Sequence, residues 1–204
     1  MTAVIADPEL QRRLIRRRRA RGEDRYDEVW DGVYVMNAQP NDEHQSLVSR
    51  LTFIFESVVG EPGLGKVRPG INISDQEESW KENYRCPDVA VFLNETSAVN
   101  KRTHWLGGSD LAVEICSPRD RTREKIDFYA SVGTRELMII DRDPWAVDLY
   151  RLSDGKMRLA GRIEVDALTD LETQVVPLRW RLLAGPERPL LEASCLDGSS
   201  RWLA

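Results

Sequence analysis

Two hydrophobic periods run along the chain, separated by turn residues. Asp7-Pro8-Glu9 opens a first helix with a capping carboxylate, a proline in the first turn and an acid near the positive end. That helix is expected to run to about Arg21 and to stop at Gly22. EVWDGVYVM reads as two short strands around Asp31-Gly32, a strong hairpin signal. From Asn41 to Val59 the apolar residues Leu47, Val48, Leu51, Ile54, Phe55 and Val58 recur at helical spacing, and Gly60 ends the run. Strand-like pieces follow around 66–73, 88–93 and 110–116, separated by polar or glycine-rich loops. RTREKIDFYASV, residues 121–132, reads as a helix closed by Gly133. ELMIID is a buried strand, and AVDLYRL turns through Ser153-Asp154-Gly155 into KMRLA. From about residue 163, TQVVPLRWRLL, PLLEASCL and RWLA are strand-like.

This order predicts an α/β fold with a mixed β-sheet, because no regular helices separate the central strands. The expected organisation is a basic N-terminal helix over 1–24, a core over 25–160, and a β-rich C-terminal extension of the same domain over 161–204. The extension either prolongs the sheet or forms a dimerisation arm.

Composition narrows the class. The chain has 204 residues and a formal charge of −5, with 41% apolar and 31% charged side chains. A chain of this length can bury about 70% of its unfolded surface in one core. The charge is uneven: residues 11–21 carry seven arginines and no acid, and the remainder has 22 basic against 34 acidic side chains. A uniformly basic nucleic-acid binder is therefore excluded, while one basic segment on an acidic body is not. No apolar run is long enough to span a membrane, and MTAVIADPEL lacks the basic-then-apolar order of a signal peptide. Cys86, Cys116 and Cys195 are odd in number and far apart, which suits a reducing cytoplasm and not a disulfide framework or a cysteine zinc site.

Two carboxylates stand where carboxylates are expensive. In DLAVEICS, Leu111, Val113 and Ile115 alternate with Ala112, Glu114 and Cys116, so both faces look covered and Glu114 lies within one of them. In PDVAVFL, Asp88 shares a face with Ala90 and Phe92. Burying an ionised carboxylate costs several kcal/mol unless it is paired or bound to a metal. On neighbouring strands, these two would share a cation. Lys125 falls inside the apolar arc defined by Ile126, Phe128, Tyr129 and Val132, which aims it at the core beside Glu114. Asp, Glu and Lys arranged so have a logic in phosphodiester cleavage. The carboxylates hold Mg²⁺ or Mn²⁺, the metal activates water, and the lysine orients that water or stabilises developing charge. The plainer alternative is a structural ion pair of Glu114 with Lys125, with Asp88 capping a turn.

CPDVAVF, GGSDLAVEICSP, REKIDFYASVGTRELMIID and AVDLYRLSDG, in this order, resemble the Uma-type restriction endonuclease family of the PD-(D/E)XK nuclease superfamily. RYDEVWDGVYVMNAQPNDEHQSLVSRL fits its hairpin and first core helix, so the resemblance covers about residues 25–151. It implies a restriction-endonuclease-like core, a mixed sheet flanked by helices, and a divalent metal. By the resemblance, Asp88 matches the metal-binding aspartate and Glu114 the acid of the E-x-K element. Cys116 stands at the usual lysine position, and Lys125 matches the lysine displaced to the following helix. Glu28 and His44 match a glutamate before the hairpin turn and a histidine opening the first core helix; both are accessory candidates. Val33 and Cys86 depart from a glutamate and an arginine common in the family, which leaves a second metal open.

His44 lies three and four residues before Leu47 and Val48, so it faces inward at a helix start, where a neutral ring can bond a carboxylate or ligate metal. His104, in the polar loop NKRTHW, is expected at the surface. The arginine helix has Leu10, Leu14 and Ile15 for docking and its arginines elsewhere, as a solvated face or a phosphate grip. Arg119, Arg121 and Arg123 are a second candidate phosphate grip. The six tryptophans are spread out, as core packing would have them. The expected function is a Mg-dependent DNA endonuclease, with a homodimer attractive for cutting both strands. The alternative is a catalytically weak or inactive member acting as a nucleic-acid-binding or scaffolding module.

Overall fold

The computed structural model of the chain describes residues 3–5, 7–117 and 120–204. The first helix, α1, is Pro8–Arg21, capped by the Asp7 side chain on the Leu10 N–H and closed at Gly22. It docks through half-buried Leu10, Leu14, Ile15 and Arg18, while Arg12, Arg13, Arg16, Arg17, Arg19 and Arg21 are exposed. The hairpin pairs Glu28–Trp30 with Val33–Met36. Asp31 and Gly32 both take positive φ, 49° and 79°, the backbone that a tight two-residue turn needs. Helix α2 spans Asp42–Phe55, and Glu56–Gly60 continues as a π-turn. The widened turn fits at Gly60 because a Cβ there would occupy the space of the Glu56 carboxylate.

The central sheet has six strands in the order Lys156–Glu164, Trp145–Ser153, Glu136–Arg142, Leu111–Ile115, Val89–Leu93 and Gly65–Pro69. Only the pair Leu111–Ile115 and Glu136–Arg142 is parallel, so the sheet is mixed. Parallel neighbours need a crossover. Here it is a 3₁₀ turn, Thr122–Lys125, leading into α3, Ile126–Ser131. The sequence predicts one helix over 121–132, and the first turn is instead tighter. Thr122 and Lys125, three residues apart, are both buried, as the 3₁₀ period requires.

Each face of the sheet carries its own core. Val89, Val91, Leu111, Val113 and Ile115 pack with Leu47, Leu51, Ile54 and Phe55 of α2. Ala90, Phe92, Ala112 and Cys116 pack with Phe128 and Tyr129 of α3. A second layer of short strands carries the hairpin and also Ile73–Ser74, Tyr84–Arg85, Val99–Asn100 and Trp105–Leu106. Most of these two-residue strands lie in stretches whose polar sequence reads as loop, because two residues show no period.

His104 is a correction to the sequence reading: it is buried, with its ring stacked on Trp80 at a centroid distance of 5.0 Å. The C-terminal strands Leu171–Glu172, Leu178–Leu183, Leu190–Cys195 and Arg201–Leu203 form an antiparallel sheet of their own. Trp180 is fully buried there, 5.9 Å from the Phe55 ring of α2, and joins that sheet to the main core. Among the described residues, no helix is long and apolar enough to cross a membrane.

Candidate active site

The register of two antiparallel strands builds the centre of the site. Val113 lies opposite Val89, so the next position places Glu114 beside Asp88 on the α3 face. Asp88 stands just before its strand and accepts the Ile115 N–H at Oδ2, 2.7 Å away. Its Oδ1 lies 3.1 Å from His44 Nε2, which α2 delivers from its first turn. His44 is buried, and its Nδ1 has no hydrogen-bond partner among the described residues.

Glu114 is buried and fully engaged on one side. Lys125 Nζ donates to Oε1 and Oε2 at 3.0 and 2.9 Å, and the Tyr129 hydroxyl donates to Oε1 at 2.5 Å. Lys125 Nζ is also 2.9 Å from Glu28 Oε1. Glu28, in turn, accepts the Cys86 N–H at 2.8 Å and the Trp30 indole N–H at 2.7 Å. The lysine thus bridges two buried carboxylates from two layers of the fold. Each carboxylate has two contacts on Oε1 and one on Oε2, so Glu114 Oε2 retains acceptor capacity, as Glu28 Oε2 does.

The electrostatics follow from three carboxylates and one ammonium. Burial pushes Glu114 up to about 8, the Asp88 and Glu28 charges add to the rise, and Lys125 opposes it. Burial alone would lower Lys125, but Glu114 and Glu28 together hold it above its ordinary value. The Tyr129 hydroxyl is pushed well up by burial and by the same two carboxylates, so it stays a donor. Asp88, Glu114, Lys125 and His44 line one pocket of about 90 Å³, with Trp30 and Arg121 at its wall.

The structure therefore brings Asp88, Glu114, Lys125, Glu28 and His44 into one cluster. The arginine candidates separate. Arg121 lines the pocket, paired to Glu124 at 2.6 Å and lying over the Trp30 ring at 5.1 Å. Arg123 turns to Asp141 at 2.9 and 2.7 Å and to Asp148 at 2.8 Å, and its hydrogen bonds to Asp141 raise its pKa. Arg119 lies outside the described residues.

Three participants escaped sequence reasoning. Tyr129 reads as part of an apolar arc, and nothing in the period reveals its hydroxyl's partner. Arg85 is buried, with its guanidinium 4.2 Å from the Phe128 ring and 4.8 Å from the Trp30 ring. Burial lowers its pKa, with the Glu28 charge opposing. Asp27, next to Glu28, is buried and accepts from Arg18 Nε at 2.6 Å, from the Asn37 N–H at 2.9 Å and from the Tyr34 hydroxyl. It ties α1 to the hairpin that carries Glu28.

The residues fit a divalent cation. The pocket's carboxylate charge exceeds its single ammonium, and Asp88 Oδ1 and Glu114 Oε2 keep acceptor capacity toward it. Among the described residues, no group of three or more His, Cys, Asp and Glu side chains is placed to hold an ion. Two carboxylates plus retained waters is the ligation that Mg²⁺ favours.

A mixed sheet with its parallel crossover, flanked by a few helices, makes this a restriction-endonuclease-like α/β fold. The chain belongs to the Uma2 family, described as "Putative restriction endonuclease", whose profile matches residues 9–182. In three dimensions it is similar to a "putative nuclease" from Anabaena variabilis, with a TM-score of 0.57 and 20% identity over 74% of this chain and 83% of that one. No curated protein matches the chain.

Proposed function

We propose that the chain is a metal-dependent endonuclease that hydrolyses phosphodiester bonds in DNA, working in a reducing cytoplasm. One observation carries this reading: Asp88 and Glu114 stand side by side on adjacent strands in a pocket that also holds Lys125. Family membership supports the class of reaction.

A bound Mg²⁺ or Mn²⁺ would supply a water of lowered pKa and neutralise charge on the scissile phosphate. Asp88 Oδ1 and Glu114 Oε2 are the atoms that would hold it. The Ile115 N–H fixes Asp88, and Lys125 with Tyr129 fixes the position of the Glu114 carboxyl and opposes the rise that burial gives its pKa. Lys125 would also place positive charge on the side of the pocket where charge on the phosphate develops. Glu28 holds Lys125 in position, and His44 lies against Asp88. A homodimer would bring two such pockets to the two strands of a duplex.

A second reading keeps the fold as a binding or scaffolding module with weak or no cleavage. It is favoured by the saturation of Lys125, whose ammonium lies within 3.0 Å of three carboxylate oxygens. Incubating the purified chain with plasmid and single-stranded DNA in Mg²⁺ or Mn²⁺ separates the two. The nuclease reading expects cleavage that Asp88→Ala and Glu114→Ala each reduce by about a hundredfold or more. Variants that cut like wild type would show the site assignment to be wrong, and salt-dependent binding without cleavage would favour the module.

A further inference from the structure

The pocket does not end at Asp88. A second groove, of about 260 Å³, shares Tyr26, His44 and Asp88 with it and runs along Gln45, Ser49 and Thr52 of α2. Its far wall carries Arg25, whose guanidinium lies 5.5 Å over the Tyr26 ring. The Gln45 amide donates to the Tyr26 hydroxyl at 3.2 Å and holds the ring from its polar edge. Gly70, at φ 60°, forms the floor. A side chain there would be strained and would meet the Tyr26 ring within 3.9 Å.

The arginines around the centre differ in one respect. Arg121 is tied to Glu124, Arg123 to Asp141 and Asp148, and Arg142 to Glu43. Arg25 is exposed and, among the described residues, makes no hydrogen bond and no ion pair. A guanidinium beside an aromatic ring and free of hydrogen-bond partners is suited to grip a phosphate oxygen without reading sequence. An aromatic ring beside a guanidinium can carry a base of an unpaired nucleic-acid strand.

We propose that this groove is a subsite for the nucleotide next to the cleaved bond: Arg25 contacts its phosphate, Tyr26 supports its base or sugar, and the polar edge of α2 contacts the rest. The inference rests on the nuclease reading for its orientation relative to Asp88. It assigns the substrate as a single strand, or one strand drawn from a duplex, lying along Tyr26 and the polar edge of α2.

Binding of a fluorescein-labelled single-stranded DNA oligonucleotide to the full chain, measured in EDTA across a salt series, tests it. Arg25→Ala is expected to weaken binding about tenfold, the worth of one charge-assisted contact. The slope of log affinity against log salt should fall by about 0.7, the value for one phosphate contact on a single strand. Arg25→Lys should keep most of the slope. Tyr26→Ala should weaken binding while Tyr26→Phe stays near wild type. Unchanged affinity and slope in Arg25→Ala overturn the subsite even if the wild type cuts. Arg25-dependent binding without cleavage keeps the subsite and overturns the nuclease reading, while a wild type that neither binds nor cuts overturns both.

Discussion

Lys125 reaches back from the crossover turn to set its ammonium against both carboxylate oxygens of Glu114, at 3.0 and 2.9 Å. The contact joins an interior strand to the segment that leaves it eleven residues later, and Glu28 closes it from the hairpin side at 2.9 Å.

Removing that ammonium should therefore cost both stability and cleavage. Lys125→Met leaves two buried carboxylates facing each other, and breaking a buried pair typically costs about 3–5 kcal/mol. Urea unfolding at neutral pH should show the loss. It should shrink when Glu28→Gln is added, because one of the stranded charges is then gone. A single Lys125→Met variant as stable as wild type would contradict the bridging role.

Cleavage should rise with pH. Glu114 is pushed up to about 8 mainly by burial, so at neutral pH the protonated form, which cannot bind a cation, competes with the ionised one. Raising the pH removes the proton, and raising Mg²⁺ should move the rising limb to lower pH. Tyr129→Phe removes a hydrogen bond that lowers the Glu114 pKa, so the limb should shift to higher pH. A pH–rate profile at two Mg²⁺ concentrations checks both signs.

The Asp27 carboxylate should anchor the arginine helix. Asp27→Ala removes the acceptor shared by Arg18, the Tyr34 hydroxyl and the Asn37 N–H, which should cost about 2–4 kcal/mol even though Arg18 keeps the Glu23 and Asn37 carbonyls. Thermal unfolding would measure the loss. Limited proteolysis should cut first between α1 and the hairpin.

Trp180 should make the C-terminal sheet part of one cooperative unit. It is fully buried against Phe55, so Trp180→Ala should cost about 3–5 kcal/mol. Unfolding should remain a single transition, because the C-terminal apolar residues share a core with α2. Two separated transitions would mean that the sheet folds alone.

Much of the site is legible in the chain because it breaks local patterns. Glu114 and Asp88 stand out from strands whose other residues are small or apolar, and the parity of a strand settles which neighbours share their face. Lys125 stands out from an apolar arc, although the observed turn there is 3₁₀ and not the expected α-helix. Residues that obey the local pattern stay hidden. Tyr129 looks like core, Arg25 looks like one more surface charge, and Tyr26 belongs to no period. His104 sits in a polar stretch and still stacks in the interior on Trp80.

The sequence by itself determined the longer helices and strands, the two covered faces of the central strands, the hairpin at Asp31-Gly32 and the family. Those features are local or periodic, set by backbone sterics and by which positions leave water together. Only the tertiary structure decided that Lys125 bridges Glu28 and Glu114, that Arg123 is taken up by Asp141 and Asp148, and that the C-terminal strands close over α2 as a separate sheet. Buried polar groups must find partners. Here those partners come from distant parts of the chain, brought within about 3 Å only when the layers pack.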